Sequence, residues 1–439
     1  MKNLNQDWPH QIKIVEQIEA ARAQGIKKLC VQLATGGGKS RIIRRATEIH
    51  YNNKKIIYLI AHRRNLVNQL SAEIWEEAGI QHGIILPNMP QIRYRVQVCS
   101  IQTLISRAKN LPYPYMIIID EAHHIKASTY MKLLKLWPEA LLLGLTATPR
   151  RTNGEPLNDV FQQLIVGPPP AFLIENGFLC DFKYLEPFTV DASDVDIEHG
   201  DYVSGQLVKK MDKPAIIGDV ITEYKKHADH TPAIASCVNI NHAEHVANMF
   251  CDAGYKAVAL HSELDNNFIE ANLRAFKNNK IDLISQVDLL GEGTNIPGAV
   301  TLLQLRHTQS LIIFLQHAGR VLRGQEGKTA IILDFVGNRE RHGFPDEDRE
   351  WSLEGLMKRD KGKLIYKQCP ECYAQNVPKK DKICPHCFFE FPTIKRPGAG
   401  RTRDIPENIP GHLVDIRNQK KYMQIPLDIY SQSSNNNNN

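Results

Sequence analysis

The stretch Ala34–Ser40 reads ATGGGKS, and it directly follows the apolar run Ile26–Leu33. Three glycines at the end of a strand lose much conformational entropy when they are ordered. A binding interaction at these residues is expected to compensate for that cost. Backbone N–H groups of a glycine-rich turn can point inward together, and a helix that begins at Ser40 adds the positive end of its dipole. The stretch therefore predicts a cradle for phosphate, in which Lys39 reaches the β and γ phosphates and the Ser40 hydroxyl ligates Mg²⁺.

The stretch departs from the general phosphate-loop pattern at one position. That pattern has a glycine five residues before Gly38, where this chain has Leu33. A flexible turn between a strand and a helix is therefore the alternative interpretation. The candidate nucleotide contacts in the loop are Thr35, Gly36, Gly37, Gly38, Lys39 and Ser40.

A second polar group follows the apolar segment YMIIID, which ends at Asp120 and continues with Glu121, Ala122 and His123. A carboxylate at the end of a strand beside a phosphate loop can organise Mg²⁺, and a second carboxylate can deprotonate an attacking water. The pair can also be an ordinary helix start, since the helix dipole favours acidic residues there. In combination with the loop, the two carboxylates predict a nucleotide-hydrolysing site.

Short β-rich apolar runs alternate with amphipathic helical segments along the chain. Strands are predicted at Lys28–Leu33, Lys55–Ile60, Arg95–Cys99, Met116–Asp120 and Leu141–Thr146, and again at Ala233–Cys237, Lys256–His261, Asp282–Gln286, Val300–Leu305 and Thr329–Asp334. Helices are predicted at Ser40–His50, Asn65–Ala78, His242–Ala253 and Phe268–Lys277. This alternation favours two α/β domains, each a mainly parallel sheet with helices on both faces.

The length of 439 residues exceeds what one hydrophobic core organises and favours two or three domains. We expect a first lobe at 1–170, a connecting segment at 171–212, a second lobe at 213–345, a charged linker at 346–365, a cysteine module at 366–392 and a basic tail at 393–439 that is disordered at its low-complexity end. No stretch approaches the roughly 18 to 20 apolar residues of a membrane span, and the N-terminus lacks the apolar core of a signal peptide. A cytoplasmic protein without a membrane partner is the expectation.

Four of the nine cysteines form the motifs C-P-E-C and C-P-H-C, at Cys369, Cys372, Cys384 and Cys387. Four thiolates at this spacing can converge tetrahedrally on one Zn²⁺, and a closed Cys₄ site is structural. The other five are Cys30, Cys99, Cys180, Cys237 and Cys251. Four of these five lie in apolar segments, where small buried hydrophobic residues are the expectation.

Positive charge is concentrated around the cysteine module. The stretch Lys358–Arg403 carries twelve Lys and Arg against four Asp and Glu, in a chain whose formal net charge is +6. Such a basic surface suits nucleic acid or an acidic protein partner, although a solvated basic appendage is the ordinary alternative.

These motifs resemble those of the superfamily 2 helicases and translocases. ATGGGKS and the DEAH of Asp120–His123 are followed, in the order typical of that family, by GLTATPRR at Gly144–Arg151, LGEGTNIPGA at Leu290–Ala299 and QHAGRVLR at Gln316–Arg323. The strand ILDFVGN at Ile332–Asn338 and the cysteine module after it are similar to those of RadD-like bacterial repair ATPases and of phage helicases of similar plan.

The resemblance implies an α/β fold of two tandem RecA-like domains, with ATP and Mg²⁺ in the cleft between them, and a small C-terminal zinc ribbon. On the first lobe it implies that Lys39 and Ser40 hold phosphate and Mg²⁺ and that Asp120 organises the metal. It also implies that Glu121 activates water and that His123 couples the site to lobe closure.

On the second lobe the resemblance implies that Gln316, Arg320 and Arg323 complete the ATP site. The planar, permanently charged fork of arginine can spread charge over a transferring phosphoryl group. For RVLR alone, two exposed helical arginines are the alternative. The resemblance also places Gly293 and Asn295 near the nucleotide, where relatives commonly carry aspartate in place of Asn295.

Further contacts follow from the resemblance alone. Gln11 occupies the place of a glutamine that reads adenine, with Trp8 where relatives carry arginine. Hydroxyl, imidazole and guanidinium donors to phosphate position a strand without reading its sequence. The candidate nucleic-acid contacts are His62, Arg63, Thr103, Thr146 and Thr148.

The prediction is an ATP-dependent DNA helicase or translocase that acts in repair, recombination or replication. Its partners would be single-stranded or forked DNA, with repair or replication proteins at the zinc ribbon. An RNA-directed ATPase is one alternative, and a nucleotide-switched scaffold without turnover is another. The scaffold would lack Glu121 or the arginines, which this chain has. A nuclease is not expected, because the sequence has no further carboxylate and histidine constellation.

Overall fold

The structure is a computed structural model, and two compact units divide the chain. It describes residues 7–150, 155–186, 195–198, 201–211, 214–287, 296, 298–325 and 327–354, and short pieces at 366–367, 377–378, 383 and 414–415. Residues 1–355 and 411–439 form one unit, and residues 356–410 form the other. Both predicted lobes therefore lie in the first unit.

A seven-stranded parallel sheet forms the first lobe. Its strands are β1 Lys28–Gln32, β2 Ile57–Ala61, β3 His82–Ile85, β4 Val96–Ser100, β5 Met116–Asp120, β6 Leu141–Thr146 and β7 Gln163–Val166. They lie in the order β3-β4-β2-β5-β6-β1-β7. The five strands predicted for this lobe are confirmed. The edge strands β3 and β7 are not predicted, because four residues are too few to show a period.

Helices cover both faces of this sheet. They are α1 Pro9–Ala23, α2 Lys39–Asn52, α3 Arg64–Glu76, α4 Ile101–Arg107, α5 Ser128–Leu136 and α6 Pro170–Glu175. Successive strand residues point to opposite faces, so Leu29 packs in the core under α1, α2 and α3, whereas Cys30 packs in the core under α4 and α5. Because both faces are buried, the strands are apolar throughout rather than alternating.

The second lobe has a seven-stranded sheet of its own. Its strands include β8 Asp181–Glu186, β11 Ala233–Ser236, β12 Ala257–Leu260, β13 Leu283–Gln286, β14 Thr301–Gln304 and β15 Thr329–Asp334. Two short strands, β9 Ile197–Glu198 and β10 Asp201–Tyr202, pair with each other as a separate two-stranded sheet. In the second unit, β16 Tyr366–Lys367 pairs with β17 Val377–Pro378. With β18 Val414–Asp415 at one edge, the sheet order is β12-β13-β11-β14-β15-β8-β18.

The five strands predicted for the second lobe are confirmed, and its helices are α7 Ser204–Met211, α8 Pro214–Ala228, α9 Ile240–Asp252, α10 Asn266–Lys277, α11 Leu311–Val321 and α12 Asn338–His342. One segment differs from the expectation. The range 171–212 is predicted as a connection, but β8 within it pairs in parallel with β15. Pairing across a long sequence separation stabilises a strand that has no predicted neighbour nearby.

Two smaller expectations concern cysteines and membranes. Cys30, Cys99, Cys180 and Cys237 are buried, as predicted, and Cys251 is exposed. Within the part of the chain that the structure describes, no helix is both long and apolar enough to cross a bilayer.

A segment that we call the strap, Phe344–Leu353, runs from the second lobe back to the first. Phe344 belongs to the hydrophobic core of the second lobe. Leu353 belongs to a core of the first lobe, and its carbonyl accepts hydrogen bonds from the backbone N–H groups of Leu157 (2.6 Å) and Asn158 (3.1 Å). Most of the strap falls in the range predicted as a charged linker, yet it packs against both lobes.

A buried charged cluster joins β8, β15 and α12 in the second lobe. Tyr184 donates a hydrogen bond to Asp334 Oδ2 at 2.6 Å, and Arg339 Nε donates to Glu186 Oε2 at 2.7 Å. Burial, together with the charge of Asp334, raises the pKa of Glu186 to about 8 even though Arg339 opposes the shift. Burial also raises the pKa of Asp334. The Arg339 guanidinium thus pairs with Glu186, Asp334 accepts from Tyr184 and from the Arg339 backbone N–H, and the raised pKa of Glu186 indicates that it retains a proton at neutral pH.

We predict that this cluster makes the free energy of unfolding fall as the pH rises. A carboxyl with a pKa of about 8 in the folded chain and 4.5 in the unfolded chain binds more protons when folded, so stability decreases between those values. Glu186→Gln removes the titration and keeps an oxygen acceptor for Arg339. Urea unfolding at several pH values from 5 to 8 should show a flatter slope for this variant, as checked against the exposed Glu175→Gln control. An unchanged slope would show that Glu186 is ionised throughout.

Candidate functional site

The phosphate loop lies between β1 and α2, as predicted, and its backbone requires glycine. Gly36 and Gly38 have φ values of 85° and 90°, in the left-handed region that favours glycine. Lys39 is the first residue of α2, and its Nζ donates a hydrogen bond to the Leu33 carbonyl at 3.4 Å. A cation at the start of a helix, beside a glycine-rich loop, is a suitable anion site.

Side chains from the start of the chain, before and within α1, pack against this loop. Gln11 Nε2 and His10 Nε2 both donate to the Gly37 carbonyl, at 3.2 and 3.0 Å, and Trp8 N donates to Gln11 Oε1 at 2.9 Å. A Cβ on Gly38 would lie 2.1 Å from Gln11 Nε2. Gln11, expected to read adenine, is 1% exposed and uses both ends of its amide on the protein. In this structure it therefore supports the loop.

The acidic pair lies at the carboxyl end of β5. Glu121 has a φ of 54° and a ψ of 54°, an uncommon left-handed conformation for a side-chain-bearing residue, and its N–H donates to Asp120 Oδ1 at 3.0 Å. Burial and the adjacent charge of Glu121 raise the pKa of Asp120 to about 6, and Lys39 opposes the shift. A divalent cation beside the two carboxylates would remove this electrostatic penalty, so the acidic pair fits Mg²⁺.

The position of the Glu121 carboxylate also suits the activation of a water molecule. Its Oε2 is buried and makes no hydrogen bond to the described part of the chain, and it lies 3.4 Å from His123 Nδ1. A buried carboxylate oxygen with open capacity can accept a proton from a water molecule in the cleft.

His123 connects the acidic pair to the end of β6. Its Nδ1 lies 3.0 Å from Thr146 Oγ1, which in turn donates to the Thr148 carbonyl at 3.0 Å. Because the Thr146 hydroxyl has one proton and that proton points to Thr148, Nδ1 of His123 is the donor. Thr146 and Thr148 are 0% and 1% exposed. In this conformation they are buried and form the link to His123, and their role as nucleic-acid contacts stays a prediction.

The other three candidate nucleic-acid contacts differ in exposure. Thr103 is 8% exposed, and its hydroxyl accepts a hydrogen bond from Ser100 at 2.9 Å, so it stabilises the start of α4. Its role as a nucleic-acid contact stays a prediction. His62 and Arg63 follow β2 and are partly exposed. Both ring nitrogens of His62 are buried in this conformation, which leaves Arg63 as the candidate contact near the carboxyl edge of the sheet.

The second lobe contacts the phosphate loop directly through α11 and the residues after it. A Cβ on Gly319 would lie 2.4 Å from Thr35 Cβ, and a Cβ on Gly36 would lie 2.8 Å from Leu179 Cδ2 and 3.7 Å from Arg323 Cγ. The backbones of Leu179 and Arg323 also form an antiparallel bridge. The glycines thus permit a close approach of the two lobes at the site.

The remaining predicted side chains of the second lobe are buried or partly buried. Gln316 and Arg320 are 3% and 6% exposed, and Arg323, which follows α11, is partly exposed, with a pKa that burial lowers. Neither arginine is therefore a fully exposed helical residue. Of these side chains, that of Arg323 lies next to the phosphate loop, and the roles of all three stay predictions.

Sequence reasoning missed two contributions to the site. The Ser40 hydroxyl forms a hydrogen bond with the carboxyl group of Glu73 on α3. Burial raises the pKa of Glu73 to about 7, although this hydrogen bond acts to lower it. Phe178 packs on Trp8 with ring centroids 4.8 Å apart and on His10 at 4.9 Å. Neither residue belongs to a motif, and only the folded chain brings them to the loop.

Several predicted residues lie outside the described residues. They are Gly293, Asn295, Cys369, Cys372, Cys384 and Cys387. Among the residues that the structure does describe, no group of three or more His, Cys, Asp or Glu is arranged to hold a metal ion. The zinc site therefore stays a prediction.

Comparisons with known proteins agree with this geometry. The family model for the type III restriction enzyme, res subunit, matches residues 6–151, and the model for the helicase conserved C-terminal domain matches residues 212–325. A 51.5 kDa protein of a Lactococcus phage (isolate 7-9) is 33% identical over 365 residues, which are 82% of this chain and 78% of that protein. The chain belongs to the superfamily 2 helicases. It is thus a member of an ATP-hydrolysing family.

More distant relatives of this superfamily 2 helicase extend the comparison. IRC3 of Saccharomyces cerevisiae, assigned as an ATP-dependent helicase, is 26% identical over 338 residues, and the match spans 72% of this chain but 49% of the yeast protein. A fragment of an assigned HsdR subunit of a type I restriction enzyme from Vibrio vulnificus YJ016 superposes with a TM-score of 0.61 at 19% identity, over 77% of this chain and 67% of that one.

A second solved structure is the type ISP restriction-modification enzyme LlaBIII bound to DNA, with a TM-score of 0.56 at 15% identity over 76% of this chain and 28% of that one. These likenesses confirm the fold as two tandem RecA-like domains.

The close approach at Gly319 gives a prediction for this helicase. Gly319→Ala places a methyl group 2.4 Å from Thr35 Cβ. A forced separation of packed surfaces costs about 1–3 kcal/mol, so we expect kcat/KM for ATP to fall by roughly tenfold. Steady-state ATPase assays measure the loss. Gly205→Ala is the matched control, since a Cβ there meets nothing within 4 Å. Equal activities of both variants would contradict the contact.

Proposed function

We propose that this chain is an ATP-driven motor that translocates along or unwinds DNA in the cytoplasm. The observation that carries the proposal is the contact of the phosphate loop with α11, where Thr35 faces Gly319 and Gly36 faces Arg323. An ATP site built from both lobes changes its energy when the lobes move. Hydrolysis at such a contact can therefore drive domain motion.

The residues of the first lobe take distinct roles in this mechanism. Lys39 and the loop amides would bind the phosphates, and Ser40 and Asp120 would hold Mg²⁺. When bound, Mg²⁺ neutralises charge on the phosphates. Glu121 orients the attacking water and accepts its proton as the new P–O bond forms and the bond to ADP breaks.

The second lobe completes the site only when it is closed on the first. Arg320 and Arg323 donate to the oxygens of the transferring phosphoryl group, and Gln316 lies one helical turn before Arg320. An arginine in this role is worth roughly 10³ to 10⁵ in rate in other nucleotide hydrolases. Loss of the contact on opening would therefore stop hydrolysis almost completely.

His123 is suited to transmit the state of the nucleotide. Its hydrogen bond to Thr146 links Glu121 to the end of β6, and Thr148 continues the chain of bonds. Two residues further on, the Arg150 guanidinium lies 5.9 Å from the ring centroid of Trp351 in the strap. A shift at Glu121 can thus reach the segment that joins the two lobes.

DNA is the proposed track. Arg63 lies at the carboxyl edge of β2 with partial exposure, where it can bind backbone phosphates without reading bases. The match to the restriction-enzyme subunit model supports DNA. The solved neighbours do not separate the two, since LlaBIII is bound to DNA and Dbp5 of Saccharomyces cerevisiae is bound to RNA. RNA is the alternative outcome of the assay below.

We further propose that the cysteine module 366–392 is a zinc ribbon, as in RadD-like repair ATPases. The spacing of Cys369, Cys372, Cys384 and Cys387 supports a closed tetrahedral site. The basic flanks of the module would then contact DNA or a repair or replication protein.

The motor proposal predicts ATP turnover that rises with nucleic acid. Single-stranded DNA, forked DNA and RNA are titrated into steady-state ATPase assays of the zinc-replete chain. Glu121→Gln should lower the stimulated rate by about 10² to 10⁴, the usual contribution of a general base, while the exposed Glu175→Gln control should not. Tight nucleic-acid binding without turnover on any of the three would leave a nucleotide-switched scaffold instead.

The zinc proposal predicts one Zn²⁺ per chain by elemental analysis. Cys369→Ser removes one thiolate of four, so we expect substoichiometric zinc, whereas Cys251→Ser, an exposed cysteine elsewhere, should keep the full content. Zinc equal in both variants would contradict the proposed ligand set.

A further inference from the structure

Three histidine rings, which we call the histidine stack, connect the end of β2 to the acidic pair. The rings of His62 and His124 have centroids 4.9 Å apart, and those of His124 and His123 are 4.3 Å apart. Both distances are those of rings in contact. The stack therefore forms a continuous packed path from His62 to His123.

Strand pairing places the ends of β2 and β5 side by side. β2 and β5 are parallel neighbours, with Ile60 opposite Ile119. His62 and Glu121 are each the first residue after these strands. Residues that follow adjacent parallel strands meet at the same edge of the sheet, so the contact follows from the pairing.

Backbone hydrogen bonds connect the turn that carries His124 to Glu121. Ala122 and Ile125 are fully buried in the core and leave the two histidines on the site side of the turn. The His124 N–H donates to the Glu121 carbonyl at 3.1 Å, and the His124 carbonyl accepts from Ala127 N at 2.9 Å. A displacement of His124 must therefore move the backbone of Glu121, whose left-handed conformation depends on this turn.

We propose that His124 is a positioning residue that couples nucleic-acid binding at Arg63, next to His62, to the orientation of Glu121. This inference rests on the proposed function. A phosphate bound at Arg63 fixes the backbone of the adjacent His62, and the His62 ring then restricts His124 and the turn through the stack. Glu121 is thereby held in the orientation that serves the attacking water, which raises turnover without a direct contact between Glu121 and the nucleic acid.

The test compares two substitutions that differ in the ring. His124→Ala removes the ring from the stack, and His124→Phe keeps an aromatic ring of similar size. The readout is the ratio of the DNA-stimulated to the basal ATPase rate in the full chain, with a single-stranded oligodeoxynucleotide at saturation. We expect the ratio to fall at least about fivefold in His124→Ala and to recover in His124→Phe.

Two further measurements separate coupling from a structural role. The Kd of the labelled oligodeoxynucleotide should stay close to wild type in both variants, since His124 is not a proposed contact. The exposed His230→Ala in the second lobe is the matched control. Parallel loss of basal rate, stimulated rate and thermal stability in His124→Ala, with no recovery in His124→Phe, would overturn the inference and assign a structural role.

A double-mutant cycle tests the path itself. If His62 acts through His124, the two losses should not add. The stimulation ratio of the His62→Ala, His124→Ala double variant should then be no lower than that of the more impaired single variant. Independent, multiplying losses would overturn the stack as the route. A wild-type chain that hydrolyses ATP without stimulation by DNA or RNA would instead overturn the proposed function, and the inference with it.

Discussion

Parallel pairing of β1, β5 and β6 is the constraint on which the site depends. Because parallel strands end at the same edge, the register of Gln32 opposite Thr146 and of Asp120 opposite Leu145 places three loops side by side. The phosphate loop, the acidic pair and the buried threonines each follow one of these strands. The chemistry requires their proximity, and the hydrogen-bond register of the sheet supplies it.

Close packing between the lobes then adds the second half of the site. Glycines at 36 and 319 remove side chains where the backbones of two domains approach, and any Cβ there would fall within 3 Å of a neighbour. Such packing gives little room for intermediate positions, so the contact tends to be either made or lost. A contact of this kind suits a site that must respond to the relative position of two lobes.

Sequence patterns predict the elements and motifs that carry local signals, and they fail where contacts are long-range. The ten strands with clear apolar runs are found, whereas β8 is missed because its partner β15 lies far along the chain. Lys39, Asp120 and Arg323 are brought to one cleft as the motif order implies. The burial of Thr103, Thr146 and Thr148 could not be predicted, because exposure depends on which helices cover a strand end. Glu73 carries no signal at all, since one acid on an amphipathic helix is ordinary.

The strap sets a geometric limit on lobe opening that no motif indicates. Its anchors Phe344 and Leu353 are nine residues apart and lie in the cores of different lobes. A fully extended chain spans about 3.3–3.6 Å per residue, so these anchors can separate by at most about 32 Å. Arg349 shortens that reach, because its guanidinium donates to the carbonyls of His342 and Phe344 and folds the first part of the strap. Wider opening would require Leu353 to leave its core, at a cost of about 1.5–3 kcal/mol in lost burial. The strap therefore limits how far the second-lobe arginines can move away from the phosphate loop when the lobes open.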